Sequence, residues 1–135
     1  MKRTTVSVCH SLDLIPVSQI GRFSRIGSRV YMVIIGEGHD AGAIPGSVKV
    51  SHTSEDARVK IKITFERADV STETADELER CKSARLVAVY VDESGNRRIS
   101  GSPNYPLALD YSISGGVFSV TLQGEDTCQD AFLAD

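Results

Sequence analysis

The chain has 135 residues, 41% of them hydrophobic and 24% charged, with 15 basic against 18 acidic side chains and a net charge of −3. This length suits one domain with a single sizeable core. The acidic balance disfavours a nucleic-acid binder, because phosphate recognition needs a concentrated basic field.

The first residues (MKRTTVSVCHSLDLIP) have a basic head but no apolar h-region, so no signal peptide is expected. Residues 4–9 (TTVSVC) alternate loosely and are read as a first strand. Residues 12–25 contain Pro16 and Gly21 and are read as irregular or as short strands. Residues 29–35 (RVYMVII) are β-branched and apolar on both faces, which predicts a central strand covered on both sides. The apolar run at 30–35 is too short to span a bilayer.

Residues 36–47 (GEGHDAGAIPGS) are read as a mobile loop that orders only against a neighbouring molecule, with Ala43, Ile44 and Pro45 as its docking element. Strict alternation follows at 58–66 (RVKIKITFE). Val59, Ile61, Ile63 and Phe65 face inward there, while Arg58, Lys60 and Lys62 form a wet face that would also blunt the strand against aggregation if it lay at a sheet edge. Val48 and Val50 carry the same signal upstream, which predicts a hairpin across SHTSEDA.

Thr74 and Glu77 match a capping box and predict one short helix with Ala75, Leu78 and Cys81 along one face. Residues 85–91 (RLVAVYV) form a buried strand, Ser94-Gly95-Asn96 turns the chain, and residues 97–100 return. Pro103 and Pro106 mark a bend or sheet edge. Leu107, Leu109, Tyr111 and Ile113, then Phe118, Val120 and Leu122, alternate on either side of Gly115-Gly116, a short-hairpin signal. Residues 92–122 thus read as a meander. The acidic stretch 125–135 is read as a terminal tail outside the 1–124 domain, with Phe132 and Leu133 as an apolar pair able to dock on a neighbouring subunit.

The chemical motifs fail on their own terms. Gly36-Glu-Gly38-His-Asp-Ala41 fits a dinucleotide fingerprint, but Gly42, Pro45 and Gly46 prevent the helix that must follow. Asp92, Ser94 and Asn96 mimic the start of a calcium loop, yet Arg97 stands where glycine is required and Pro103 where a glutamate is required. His10, His39 and His52 have no metal-ligand spacing. Cys9, Cys81 and Cys128 are odd in number and far apart, so reduced thiols are expected. No catalytic, cofactor or metal residues are assigned.

The text V-Y-V-D-E-S-G-N-R-R-I-S-G-S-P-N-Y-P-L, followed by an antiparallel pair, resembles small virion-associated proteins from tailed-phage and prophage structural clusters of gut bacteria. In that group a D-x-x-G-x-R-R hairpin and a G-[ST]-P-x-[YF]-P-L segment precede a final strand pair. The likeness covers about residues 85–123 and carries no functional residue set. It implies a tail or head–tail component, made in the cytoplasm and built into a particle through contacts with itself or other virion proteins, with no cofactor and no membrane.

The expected fold is therefore mainly β, a single-domain antiparallel barrel or two-sheet sandwich with one short helix. An α+β sheet with the helix on one face is the alternative. The expected function is that of a non-enzymatic, oligomerising structural protein. One rival is a ligand- or carbohydrate-binding β module, which the scarcity of aromatics (6%) and the absence of tryptophan weaken. The other is a small hydrolase using His39 or His52.

Overall fold

A computed structural model of the chain describes residues 3–9, 11–36 and 39–134, with only the backbone of Arg3 and His39. In chain order the elements are β1 (Arg3–Val8), β2 (Ser11–Pro16), a 3-10 turn (Val17–Gln19), β3 (Ile20–Ile26), β4 (Arg29–Ile34) and β5 (His39–Asp40). Then come β6 (Lys49–Glu55), β7 (Arg58–Arg67), α1 (Thr72–Lys82), β8 (Leu86–Val91), β9 (Arg97–Ser100), β10 (Ala108–Ser114), β11 (Val117–Asp126) and β12 (Ala131–Leu133). The strands form two sheets, ordered β1-β6-β7-β11-β10 and β3-β4-β12-β9-β8-β2-β5. Over the described residues the molecule is a mainly-β sandwich with a single short α-helix, as the sequence predicts.

Alternation places the core. In the smaller sheet Val50, Ile63, Leu122 and Leu109 stand opposite one another across four strands. All four are buried. They pack against Leu12, Leu14, Leu86, Ala88 and Tyr90 of the larger sheet. Lys60 and Lys62, one residue out of phase, are exposed. Gly115 and Gly116 both take positive φ in the two-residue turn between β10 and β11, a conformation that an ordinary side chain resists.

The larger sheet is strongly curled, for a simple metric reason. Its order sets β3 and β2 five strand spacings apart, about 24 Å if the sheet were flat. The chain joins them through Val17–Gln19 alone, a reach of about 14 Å. The sheet must therefore bend its two ends toward each other. The inside of the bend holds a second core of Ile15, Val30, Val87, Val89, Ile99 and Ala131, with Ile20, Phe23, Met32, Ile34 and Leu133 against it. Strand β8 is consequently buried on both faces.

Several expectations change. Strand β4 is not covered on both sides, because Val30, Met32 and Ile34 face the second core while Tyr31 and Val33 are exposed. The stretch 92–122 is not one meander. β8 and β9 belong to the larger sheet and β10 and β11 to the smaller one, with the Pro103–Pro106 region making the crossing and Leu107 bridging to Leu86. The helix starts earlier than the Thr74–Glu77 box, since Ser71 is the N-cap and its hydroxyl accepts the Thr74 N–H. Thr74 instead donates to Asp69, whose carboxyl is held down to about 2 chiefly by its hydrogen bonds from Arg67. Leu78 drives the helix into the main core.

The loop at 36–47 is anchored by its own domain over its described part. His39–Asp40 pair with β2, the Ala41 N–H donates to the Leu12 carbonyl, and the Ile44 N–H donates to that of Glu66. The Ser47 hydroxyl accepts from the Glu66 N–H. Gly42 has positive φ and lies so close to the Arg67 guanidinium that a Cβ would meet it at 2.9 Å. These bonds are made within the domain, without a neighbouring molecule. The stretch 125–135 is likewise no separate tail, because β11 runs to Asp126 and β12 sits inside the larger sheet between β4 and β9.

Ile61→Ala is expected to cost about 2–4 kcal/mol, the range for truncating a buried large aliphatic side chain. Lys60→Ala should cost under about 0.5 kcal/mol. Denaturant titration of the two variants checks this, and equal losses would show the register of β7 to be wrong.

Candidate functional site

Two places concentrate side chains that the packing alone does not require. The first is a buried polar cluster around Asp130, whose side chain is only 1% exposed. Its Oδ1 accepts from the Ser100 hydroxyl at 2.9 Å and its Oδ2 from the Tyr90 hydroxyl at 2.5 Å. The His52 Nε2 lies 2.7 Å from the same Oδ2. The geometry of that contact is not that of a hydrogen bond, so Nε2 has no hydrogen-bond partner there. Arg98 Nη2 donates to the Asp130 carbonyl at 2.6 Å, and its guanidinium stacks 4.2 Å from the Phe132 ring centre.

The fold explains the convergence. β6 directs His52 inward in line with Val50. β8 and β9 bring Tyr90 and Ser100 onto the same face of the larger sheet, and the turn before β12 drops Asp130 between them. Burial, then the charge of Asp130, pushes the Tyr90 hydroxyl above its ordinary range, so it remains a neutral donor. Nearby, burial and the charges of Asp92, Glu93 and Asp130 push the Cys9 thiol up to about 11. A thiol held so high is a poor nucleophile at neutral pH. The carboxylate spends its oxygens on partners inside the protein, and the cluster joins the two sheets.

The second place is the outer face of the β3–β4 hairpin. The pairing puts Ile26, Tyr31, Val33 and Phe132 on one face, with Ile35 continuing the alternation. Tyr31 is 43% exposed, Val33 56%, Ile35 67% and Ile26 68%. This face continues the surface that the smaller sheet covers over β8, but the covering sheet ends before it reaches β4. Arg22, Ser24 and Arg29 are interspersed and exposed.

The expected contact residues are dispersed. Ala43 packs on the main core, Ile44 is half-buried and Pro45 exposed, all on the side of β7. Leu133 packs on the second core, and Phe132 lies on the apolar face. His52 belongs to the Asp130 cluster. The His39 side chain and His10 lie outside the described residues. Among the described residues no group of histidine, cysteine and carboxylate side chains could hold a metal ion. Among them, too, no helix is long and apolar enough to cross a membrane. Sequence reasoning missed Asp130, Tyr90 and Ser100. The one local hint was an aspartate directly before the apolar triplet Ala131-Phe132-Leu133.

No family model, no curated protein and no solved structure matches this chain.

Asp130→Ala strands two hydroxyl donors in the core, and is expected to cost about 2–4 kcal/mol. Asp130→Asn keeps the shape and one acceptor and should cost less; chemical denaturation of both checks the order. With a chromogenic thiol reagent at pH 8, the exposed Cys128 is expected to react at once and the buried Cys9 only after unfolding. Rapid native labelling of Cys9 would contradict its placement.

Proposed function

We propose that the protein is a non-enzymatic assembly subunit that works through protein–protein contacts, as a tail or head–tail component of a tailed-phage or prophage particle. The observation that carries the reading is the exposed apolar face of the β3–β4 hairpin, which groups Ile26, Tyr31, Val33 and Ile35. A soluble single domain rarely leaves such residues contiguous unless another surface covers them. The face is carried on paired strands, so it is preorganised and loses little entropy on docking. The resemblance over about residues 85–123 supports the particle context; that stretch runs from β8 to β11 and includes the crossing between sheets. Cys9 and the Asp130 cluster are buried in structural roles, which speaks against the hydrolase alternative at His52.

Val33→Asp combined with Ile35→Asp is expected to abolish association with neighbouring particle components while the melting curve stays within about 0.5 kcal/mol of wild type. Sedimentation velocity and co-purification with co-expressed particle proteins read the first effect, and circular dichroism the second. Undiminished association in the double variant would overturn the reading.

A further inference from the structure

The two sheets end in edges that are guarded to very different degrees. β3 carries Arg22 and Arg25 and a register shift between Ile20 and Arg22, devices that discourage strand addition. β5 has only two residues. β10 is flanked by the helix, with the Tyr111 hydroxyl donating to Glu79 and Lys82 3.5 Å from Asp110. β1, the remaining edge, has six residues. Its stretch 4–8 (TTVSV) contains no charge, no proline and no glycine, and Val6 is 63% exposed.

The register shows which backbone groups of β1 face away from β6. The Cys9 N–H donates to the Val48 carbonyl at 2.9 Å, one step beyond the Val8–Lys49 pair. Hydrogen-bonded and non-hydrogen-bonded pairs alternate in an antiparallel ladder. Ser7 and Thr5 therefore bond to β6, while Thr4, Val6 and Val8 turn their N–H and C=O groups outward. The Val8 N–H, which donates to Glu93 Oε1 at 3.2 Å rather than to β6, fits this parity.

We propose that β1 pairs antiparallel with β1 of a second copy about a two-fold axis at Val6, joining the two smaller sheets into one continuous sheet. The parity allows this register. Val6 faces Val6 as a hydrogen-bonded pair, and the Thr4 N–H donates to the carbonyl of the second copy's Val8. Thr5 lies opposite Ser7, so no like charges meet. The N-terminal end of each strand comes beside the Asp92–Glu93 turn of the other copy, which lies at the Val8 end of β1. On the outer face Val6 packs on Val6, covering the exposed valines. The surface differs from the β3–β4 face, and the proposal does not depend on the assembly function.

The test uses the full chain. Wild type is expected to become dimeric as concentration rises in sedimentation equilibrium. Val6→Pro removes an N–H that β6 does not use, and proline is tolerated on an edge strand with that side outward. It should leave the melting curve unchanged and give a monomer at every concentration. Val6→Cys in a Cys128→Ser background should form an intermolecular disulfide on mild oxidation, because opposed residues in such a pair have Cα atoms about 5.5 Å apart. A wild type that stays monomeric, a Val6→Pro variant that still dimerises, or dimerisation lost in the Val33→Asp, Ile35→Asp variant instead would each overturn the proposal. Should Val6→Pro fail to fold, the cysteine variant decides: cross-linking supports the pairing and its absence overturns it.

Discussion

The insertion of β12 between β4 and β9 is the constraint on which the rest of this architecture depends. In the larger sheet β4 and β9 are not neighbours; Ala131–Leu133 supplies the strand that connects them, parallel to β4 and antiparallel to β9. Without it the β3–β4 hairpin would have no hydrogen-bonded attachment to β8 and β2. A three-residue strand offers few bonds, so its position needs other support. Asp130, buried just before it and bonded to Tyr90 and Ser100, provides that support, and His52 of the smaller sheet lies against the same carboxylate. Arg25 and Ser54 fasten the preceding residue, Gln129, from both sides.

A buried carboxylate is a poor source of net stability, because desolvation offsets most of the attraction to its partners. Its value here is geometric. An apolar side chain at this position would pack wherever space allowed, whereas Asp130 is satisfied only where two hydroxyls converge. This accounts for a charged group in the core without invoking catalysis.

The curl of the larger sheet follows from the short Val17–Gln19 connection and has a cost in coverage. Bending brings the ends of β2 and β3 together around a second core, and it carries the outer face of β3 and β4 away from the smaller sheet. Tyr31, Val33 and Ile35 are left exposed although they belong to the same sheet face as the buried Tyr90. One geometric requirement thus creates both the internal second core and the external apolar surface.

The sequence by itself determined what is local: the inward residues of β7 and β11, the Gly115-Gly116 turn, the buried run of β8 and the existence of one helix; on β10 only Leu109 is buried, and Ile113, in phase with it, is exposed. Alternation and turn chemistry act between neighbouring residues, so they are legible without knowing what lies above a strand. The extent of coverage was not legible, because β4 and β8 have equally apolar sequences and only the layer packed over each separates them. The fate of 125–135 was hidden for the same reason. Its acidity suggested a solvated tail, and only the tertiary structure placed Tyr90 and Ser100, 40 and 30 residues upstream, where Asp130 needs them. The loop at 36–47 looked free because its glycines are flexible, yet backbone partners on β2 and β7 hold its described residues 39–44. Burial, edge exposure and the satisfaction of a buried charge are properties of the assembled sheets, and no window of the chain contains them.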